Sequence, residues 1–229
     1  LAELMLRCRV PSMSMGRFSK RAFEKCLRRG RGLDFMTELR GHGALTYTGV
    51  DLGHTKKPGA DYTVIITALA YPDGGDRQII DIRSGRWNGT EIRDEVVKVK
   101  EAFHSNVFVE SNGGQQLLID VINEIEAVRP HHTGRNKHDI VNGVESLALE
   151  MDQGRWILPC SENEVPSEEV GKLIKGCMRY DPSKPAEHTD DWLMALWILR
   201  EGMRTSLAAN LGGGFALPGR HEMHGLMDR

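Results

Sequence analysis

Apolar positions run through three early stretches and then change period. Leu45 to Leu52, Tyr62 to Tyr71 and Arg77 to Trp87 are rich in Val, Ile, Thr and Tyr, residues that suit a pleated, half-buried surface. Pro72-Asp73-Gly74-Gly75-Asp76 lies between the second and third as a turn, so the spacing predicts an antiparallel meander of three strands. From Thr90 the period becomes helical: Ile92, Val96, Val99 and Phe103 share one face, and Asn88 or Thr90 supplies the cap. Asn106 to Ser111 is a short apolar run of strand type, and Gln115 to Val128 is again helical, which implies a strand-helix-strand crossover. Arg129 to Thr133 reads as a short polar strand or loop, Lys137 to Gln153 as a helix and Arg155 to Leu158 as an added strand. Glu168 to Met178 and Asp190 to Met203 close the chain as helices. An α/β fold is expected, with a mixed sheet of an antiparallel trio plus parallel strands and helices on both faces.

The flanks differ in character. From Arg7 to Arg31 nine Lys or Arg face the single acid Glu24. Residues 1–44 therefore read as a basic linker or arm, with a helix from Ser19 to Arg29 on the spacing of Phe18, Ala22, Cys26 and Leu27. Residues 45–210 form the expected domain, and the Gly-rich residues 211–229 a flexible tail. At 229 residues and 40% hydrophobic composition the chain can bury one sizeable core. The longest apolar runs are too short to cross a bilayer, so no membrane association is expected. Four scattered cysteines (Cys8, Cys26, Cys160, Cys177) include no Cys-x-x-Cys pair, which argues against a zinc knuckle or a disulfide framework. A net charge of −2 confines any nucleic-acid binding to a local patch.

Chemistry enters with the acids. Asp51 stands near the end of the first strand, Glu110 at the end of the fourth, and Asp190 with Asp191 at the first turn of the last long helix. Carboxylates beside apolar segments are costly unless a cation neutralises them. Taken singly, Asp51 also fits a turn before Gly53, and Asp190 and Asp191 fit first-turn acids favoured by the helix dipole. As a set on neighbouring strands they form a hard-oxygen site suited to Mg²⁺ or Mn²⁺. Two such ions about 3.5–4 Å apart activate water and stabilise the leaving oxygen of a phosphodiester. Lys56 and Lys57, directly after the first strand, are candidate backbone contacts for DNA, and Arg77, Arg83 and Arg86 form a second candidate rim.

The segments Gly49-Val50-Asp51-Leu52-Gly53, Phe108-Val109-Glu110-Ser111-Asn112, Thr133-Gly134-Arg135-Asn136-Lys137 and His188-Thr189-Asp190-Asp191-Trp192-Leu193-Met194-Ala195-Leu196 resemble, in order, the C-terminal nuclease domain of the large terminase subunit of tailed bacteriophages. That family has the ribonuclease H-like fold. The resemblance implies that Asp51, Glu110 and either Asp190 or Asp191 bind two Mg²⁺ or Mn²⁺ ions, and that Lys137 neutralises phosphate charge. His188 departs from the His-Asp-Asp of many relatives, because Thr189 intervenes, so it has a capping or supporting role as readily as a metal contact. The implied activity is cutting of double-stranded DNA with little sequence preference during viral genome packaging in the host cytoplasm. The implied partners are the portal protein and the small terminase subunit, with full-length subunits in a homo-oligomeric ring and the isolated domain a monomer. No Gly-x-x-x-x-Gly-Lys-Ser/Thr loop occurs in the sequence, so ATP use is expected only in a motor domain upstream of Leu1.

Three other readings share parts of this pattern. Val50-Asp51-Leu52-Gly53-His54-Thr55 also resembles the first phosphate loop of sugar-kinase, actin and Hsp70 ATPases, but the second Gly-rich loop and domain have no room here. A Holliday-junction resolvase or transposase-like nuclease would use the same acids on branched or specific DNA. A degenerate ribonuclease H-like docking module would need none of the acids that the chain retains.

Overall fold

The computed structural model describes residues 18–32, 44–53, 61–71, 75–110, 128–131, 143–181 and 190–212. Their strands are β1 (Leu45–Asp51), β2 (Thr63–Ala70), β3 (Arg77–Gly85), β4 (Asn106–Glu110), β5 (Val128–His131) and β6 (Trp156–Ile157). The helices are α1 (Lys20–Gly30), α2 (Gly89–Phe103), α3 (Val144–Asp152), α4 (Glu168–Arg179) and α5 (Asp191–Gly212). One six-stranded sheet runs β5-β4-β1-β2-β3-β6. β1, β2 and β3 form the expected meander, while β4 pairs parallel to β1, β5 to β4 and β6 to β3.

Alternation along the central strands divides the apolar residues between two layers. Val50, Ile65, Val107 and Val109 pack with Ile92, Val96 and Val99 of α2. Tyr47, Val64, Ile66 and Phe108 face the other way, into a larger core with α5 and parts of α1, α3 and α4. Covered on both faces, β2 is buried from end to end, which is why its sequence reads as a continuous apolar run. Between the layers Thr48 bonds Thr67 at 3.0 Å and Ser105 at 2.8 Å, so these buried hydroxyls satisfy one another. Asn88, not Thr90, caps α2, in a reciprocal pair with Glu91. The thiols of Cys26 and Cys177 are buried and pushed up in pKa by desolvation, Cys26 to about 11, which keeps them protonated and unreactive.

Three expectations change. Helix α1 forms as expected, but it is part of the packed unit: Phe18, Ala22, Phe23 and Cys26 are buried in the larger core, and Leu158 donates its amide to the carbonyl of Cys26 at 3.3 Å. A boundary at residue 44 thus does not separate an arm from the domain. Val128, expected as the last residue of a helix, begins β5; residues 115–127 lie outside the described set. Helix α5 continues past Met203 to Gly212, spanning 22 residues, and residues 213–229 of the expected tail lie outside the described set. Among the described residues no helix is long and apolar enough to cross a membrane.

Candidate metal centre

Strand register brings two of the predicted acids to one end of the sheet. Val50 lies beside Val109 in the parallel β1–β4 pair, and the next residue on each strand is the last one, Asp51 and Glu110. Side chains alternate along a strand. Position 51 therefore falls in the row of Tyr47 and Gly49, the row on which α5 packs, while Glu110 is placed by its backbone alone. Asp51 is only 8% exposed.

The third acid arrives on α5 because two glycines let that helix approach closely. A methyl at Gly49 would lie 2.5 Å from the carbonyl oxygen of Ala195 and the amide of Leu199, and one at Gly202 would strike the ring of Phe108. With α5 seated on β1 and β4, its first residue, Asp191, accepts a hydrogen bond from the Tyr62 amide at 2.7 Å. Tyr62 precedes β2, and β2 pairs Val64 with Asp51, so Asp191 reaches the same end of the sheet as Asp51. The amide holds Oδ2. Burial pushes the Asp191 carboxyl up to about 6, and the Tyr62 amide opposes it.

Asp190 points elsewhere. Its Oδ1 accepts from the Trp192 amide at 3.1 Å and its carbonyl from Met194 at 2.9 Å, the geometry of a residue capping α5. A methyl at Gly176 of α4 would overlap its carboxylate, so this side chain is packed against α4. The adjacent acids that the sequence leaves equivalent thus occupy different environments.

The arginines separate as well. Arg77 was expected on a DNA-facing rim, and the structure corrects this. It starts β3, at the end of the sheet opposite Asp51, where its side chain is 13% exposed, pairs with Glu150 at 3.3 Å and lies 5.6 Å from the Trp156 ring. Arg83 turns to the α2 layer and is held by Asp81 at 2.8 Å and Glu95 at 3.2 Å. Arg86 is exposed, stacks 4.2 Å over the Tyr62 ring, and its charge acts on Asp191. Of these three, Arg86 is the one beside the acids. Lys56, Lys57, Lys137 and His188 lie outside the described residues.

Sequence reasoning missed the aromatic bracket around Asp191. The Tyr62 ring lies 5.2 Å from that of Trp192, whose indole N–H donates to Glu169 of α4 at 3.0 Å. Trp192 stood inside the recognised His188–Trp192 segment, but nothing local marked Tyr62 or Glu169 as its neighbours. Among the described residues no three His, Cys, Asp or Glu form a group able to hold a metal ion; the described carboxylates at this end are Asp51 and Asp191, with Asp61 and Asp190 close enough to act on Asp191 and Glu110 placed by its backbone.

Solved structures share this architecture. The large terminase nuclease from thermophilic phage G20c with bound zinc matches 69% of this chain and 81% of its own at 16% identity and a TM-score of 0.50. The human cytomegalovirus terminase nuclease domain matches 80% and 94% at 13% identity and a TM-score of 0.54. This is the fold of a terminase nuclease domain. The terminase nuclease domain of bacteriophage SPP1 with bound manganese matches 75% and 93% at 14% identity and a TM-score of 0.51. No family model and no curated protein sequence matches the chain. Within a terminase-nuclease fold Asp51, the backbone position of Glu110 and the start of α5 lie at one end of the central strands. Oxygen donors, one buried and another raised in pKa by burial, have the chemistry of a hard-cation site.

Proposed function

We propose that the chain is a divalent-metal-dependent endonuclease that cuts duplex DNA by phosphodiester hydrolysis. The observation that supports this reading is that Asp51, the backbone position of Glu110 and Asp191 lie at one end of the sheet in a fold shared with terminase nucleases. Asp51, Glu110 and Asp191 would hold one or two Mg²⁺ or Mn²⁺ ions, which supply an activated water and charge neutralisation at the leaving oxygen. Asp191 is oriented for this by the Tyr62 amide. Asp190 serves the same centre indirectly, by capping the helix that presents its neighbour. Arg86, fixed on Tyr62 beside the acids, holds a non-bridging oxygen of the substrate, and Lys56, Lys57 and Lys137 are further phosphate contacts by their place in the sequence. Contacts of this kind read the backbone and not the bases, which fits cutting with little sequence preference.

In this reading the protein acts on packaged viral DNA in the host cytoplasm, alongside a translocating ATPase, a portal and a small terminase subunit. Plasmid incubated with Mg²⁺, Mn²⁺ or EDTA tests the central claim. Nicked and linear products appear with either metal and vanish in EDTA, and Asp51→Ala and Glu110→Ala each lower the rate by more than about 100-fold. Cutting in EDTA, or full activity in both variants, would sink the assignment.

A further inference from the structure

Helix α1 carries charge in places that work against its own stability. Its first turn contains Lys20 and Arg21 and no acid, beside the positive end of the helix dipole, where carboxylates stabilise and cations do not. Arg21, Lys25 and Arg28 follow at i, i+4 and i+7, all exposed, a row of like charges that disfavours a helix. Compensation among the described residues is slight. Glu24 meets Lys20 at 3.7 Å, and Lys25 donates to the carbonyl of Asp152 at 3.3 Å. Arg29 and Arg31, by contrast, are engaged by Asp76 and Glu164. What secures α1 is the opposite face, where Phe18, Ala22, Phe23 and Cys26 are buried. Arg21, Lys25 and Arg28, with Glu24 and Asp152, line a cleft of about 670 Å³. A firmly seated helix thus displays a cationic row that its own fold does not need.

We propose that this row is a second DNA-contacting surface, in which Arg21, Lys25 and Arg28 hold backbone phosphates away from the point of cutting. The choice of duplex DNA as the polyanion rests on the nuclease reading above. Seven helical residues span about 10 Å, a length over which a duplex presents several phosphates. The row lies toward the Arg77 end of β3, since α1 is joined to Asp76 and Gly154 through Arg29 and to the segment after β6 through Cys26. The metal centre is at the other end of the sheet, about 20 Å along a seven-residue strand. That offset corresponds to about six base pairs. The surface therefore contributes to grip and not to the chemical step.

The test combines Arg21→Gln, Lys25→Gln and Arg28→Gln, since Gln matches Lys and Arg in helix propensity. Binding to a fluorescent 30-base-pair duplex is measured in EDTA across a salt series, so that cutting plays no part. The triple variant is expected to bind about 10- to 100-fold more weakly at low salt, with the slope of log K against log salt reduced by about 2.7. Arg21→Gln and Arg28→Gln alone each reduce it by about 0.9. The melting temperature stays level or rises, because repulsion is relieved, and kcat at saturating DNA is unchanged. Equal affinity and slope for wild type and triple variant would overturn the proposal. So would a variant that loses poly-glutamate binding while keeping duplex binding, which would point to an acidic protein partner. A wild-type protein that binds duplex through this row yet never cuts it removes the nuclease reading and leaves this surface standing.

Discussion

Burial pushes the Asp191 carboxyl up to about 6, against the Tyr62 amide and the Arg86 guanidinium, which pull it down. A folded value above the unfolded one, about 3.9, means that the folded state holds the proton more tightly. The resulting stabilisation is fully present below pH 4 and is lost as pH rises through 6. Asp191→Asn is therefore expected to flatten the fall in metal-free stability between pH 4 and 6, read by denaturant unfolding, and to lower metal-dependent cleavage by more than about 100-fold. Asp190→Asn keeps an effective cap and near-normal cleavage, while Asp190→Ala costs about 1 kcal/mol of stability. An inactive Asp190→Asn beside an active Asp191→Asn would transfer the ligand role to Asp190. At this scale the sequence marked both acids, because each stands before an apolar helix. It could not separate them, because the difference lies in Gly176 on one side and Tyr62 on the other, residues 14 positions upstream of Asp190 and 129 upstream of Asp191.

Between elements, the contact that matters most for the site is α5 against β1. Gly49 leaves no space for a side chain under Ala195 and Leu199, and both nearest atoms there belong to the backbone of α5 and cannot turn aside. Gly49→Ala is expected to cost about 2–3 kcal/mol in urea unfolding and to reduce cleavage by more than the unfolded fraction explains, since the helix that carries Asp191 must lift. Cleavage that merely tracks the folded fraction would show that α5 tolerates the shift. The sequence placed Gly49 in a recognisable segment, but the reason for glycine there is a crossing helix some 146 positions away. Strands and helices were legible for the opposite reason, since β-branched runs and 3.6-residue periodicity are local properties. The basic α1 shows the limit of that legibility. Its helical spacing was readable, whereas its membership of the core depends on α3 and the chain after β6.

Across the described structure the two ends of the sheet differ in their charged groups. The end carrying Asp51 gathers acids, while the other is tied by a buried ionic network. Glu150 of α3 pairs with Arg77 at 3.3 Å and Arg200 at 2.9 Å and accepts from the Trp156 indole at 3.2 Å. Glu201 joins Arg200 to Arg204. The Arg200 and Glu150 side chains are 6% and 14% exposed, so removing the shared acid strands Arg77 and leaves Arg200 with Glu201 alone in a low-dielectric setting. Glu150→Ala is expected to cost about 3–5 kcal/mol in equilibrium unfolding while the surviving folded protein keeps its metal response and kcat; a change in metal dependence at full stability would link the network to the site. Arg77 was expected on the DNA rim because a charged residue opening a strand reads as solvated, and only a partner 73 positions later makes it an interior one. The sequence by itself determined the order of elements and the positions of Asp51, Glu110 and the Asp190–Asp191 pair, because strand runs, helical period and acids at element ends are written within a few neighbouring residues. Only the tertiary structure decided which acid of the pair bonds the Tyr62 amide and which packs against α4, which arginine stands beside Asp191 and that α1 belongs to the core, because burial, register and charge pairing arise between segments far apart in the chain.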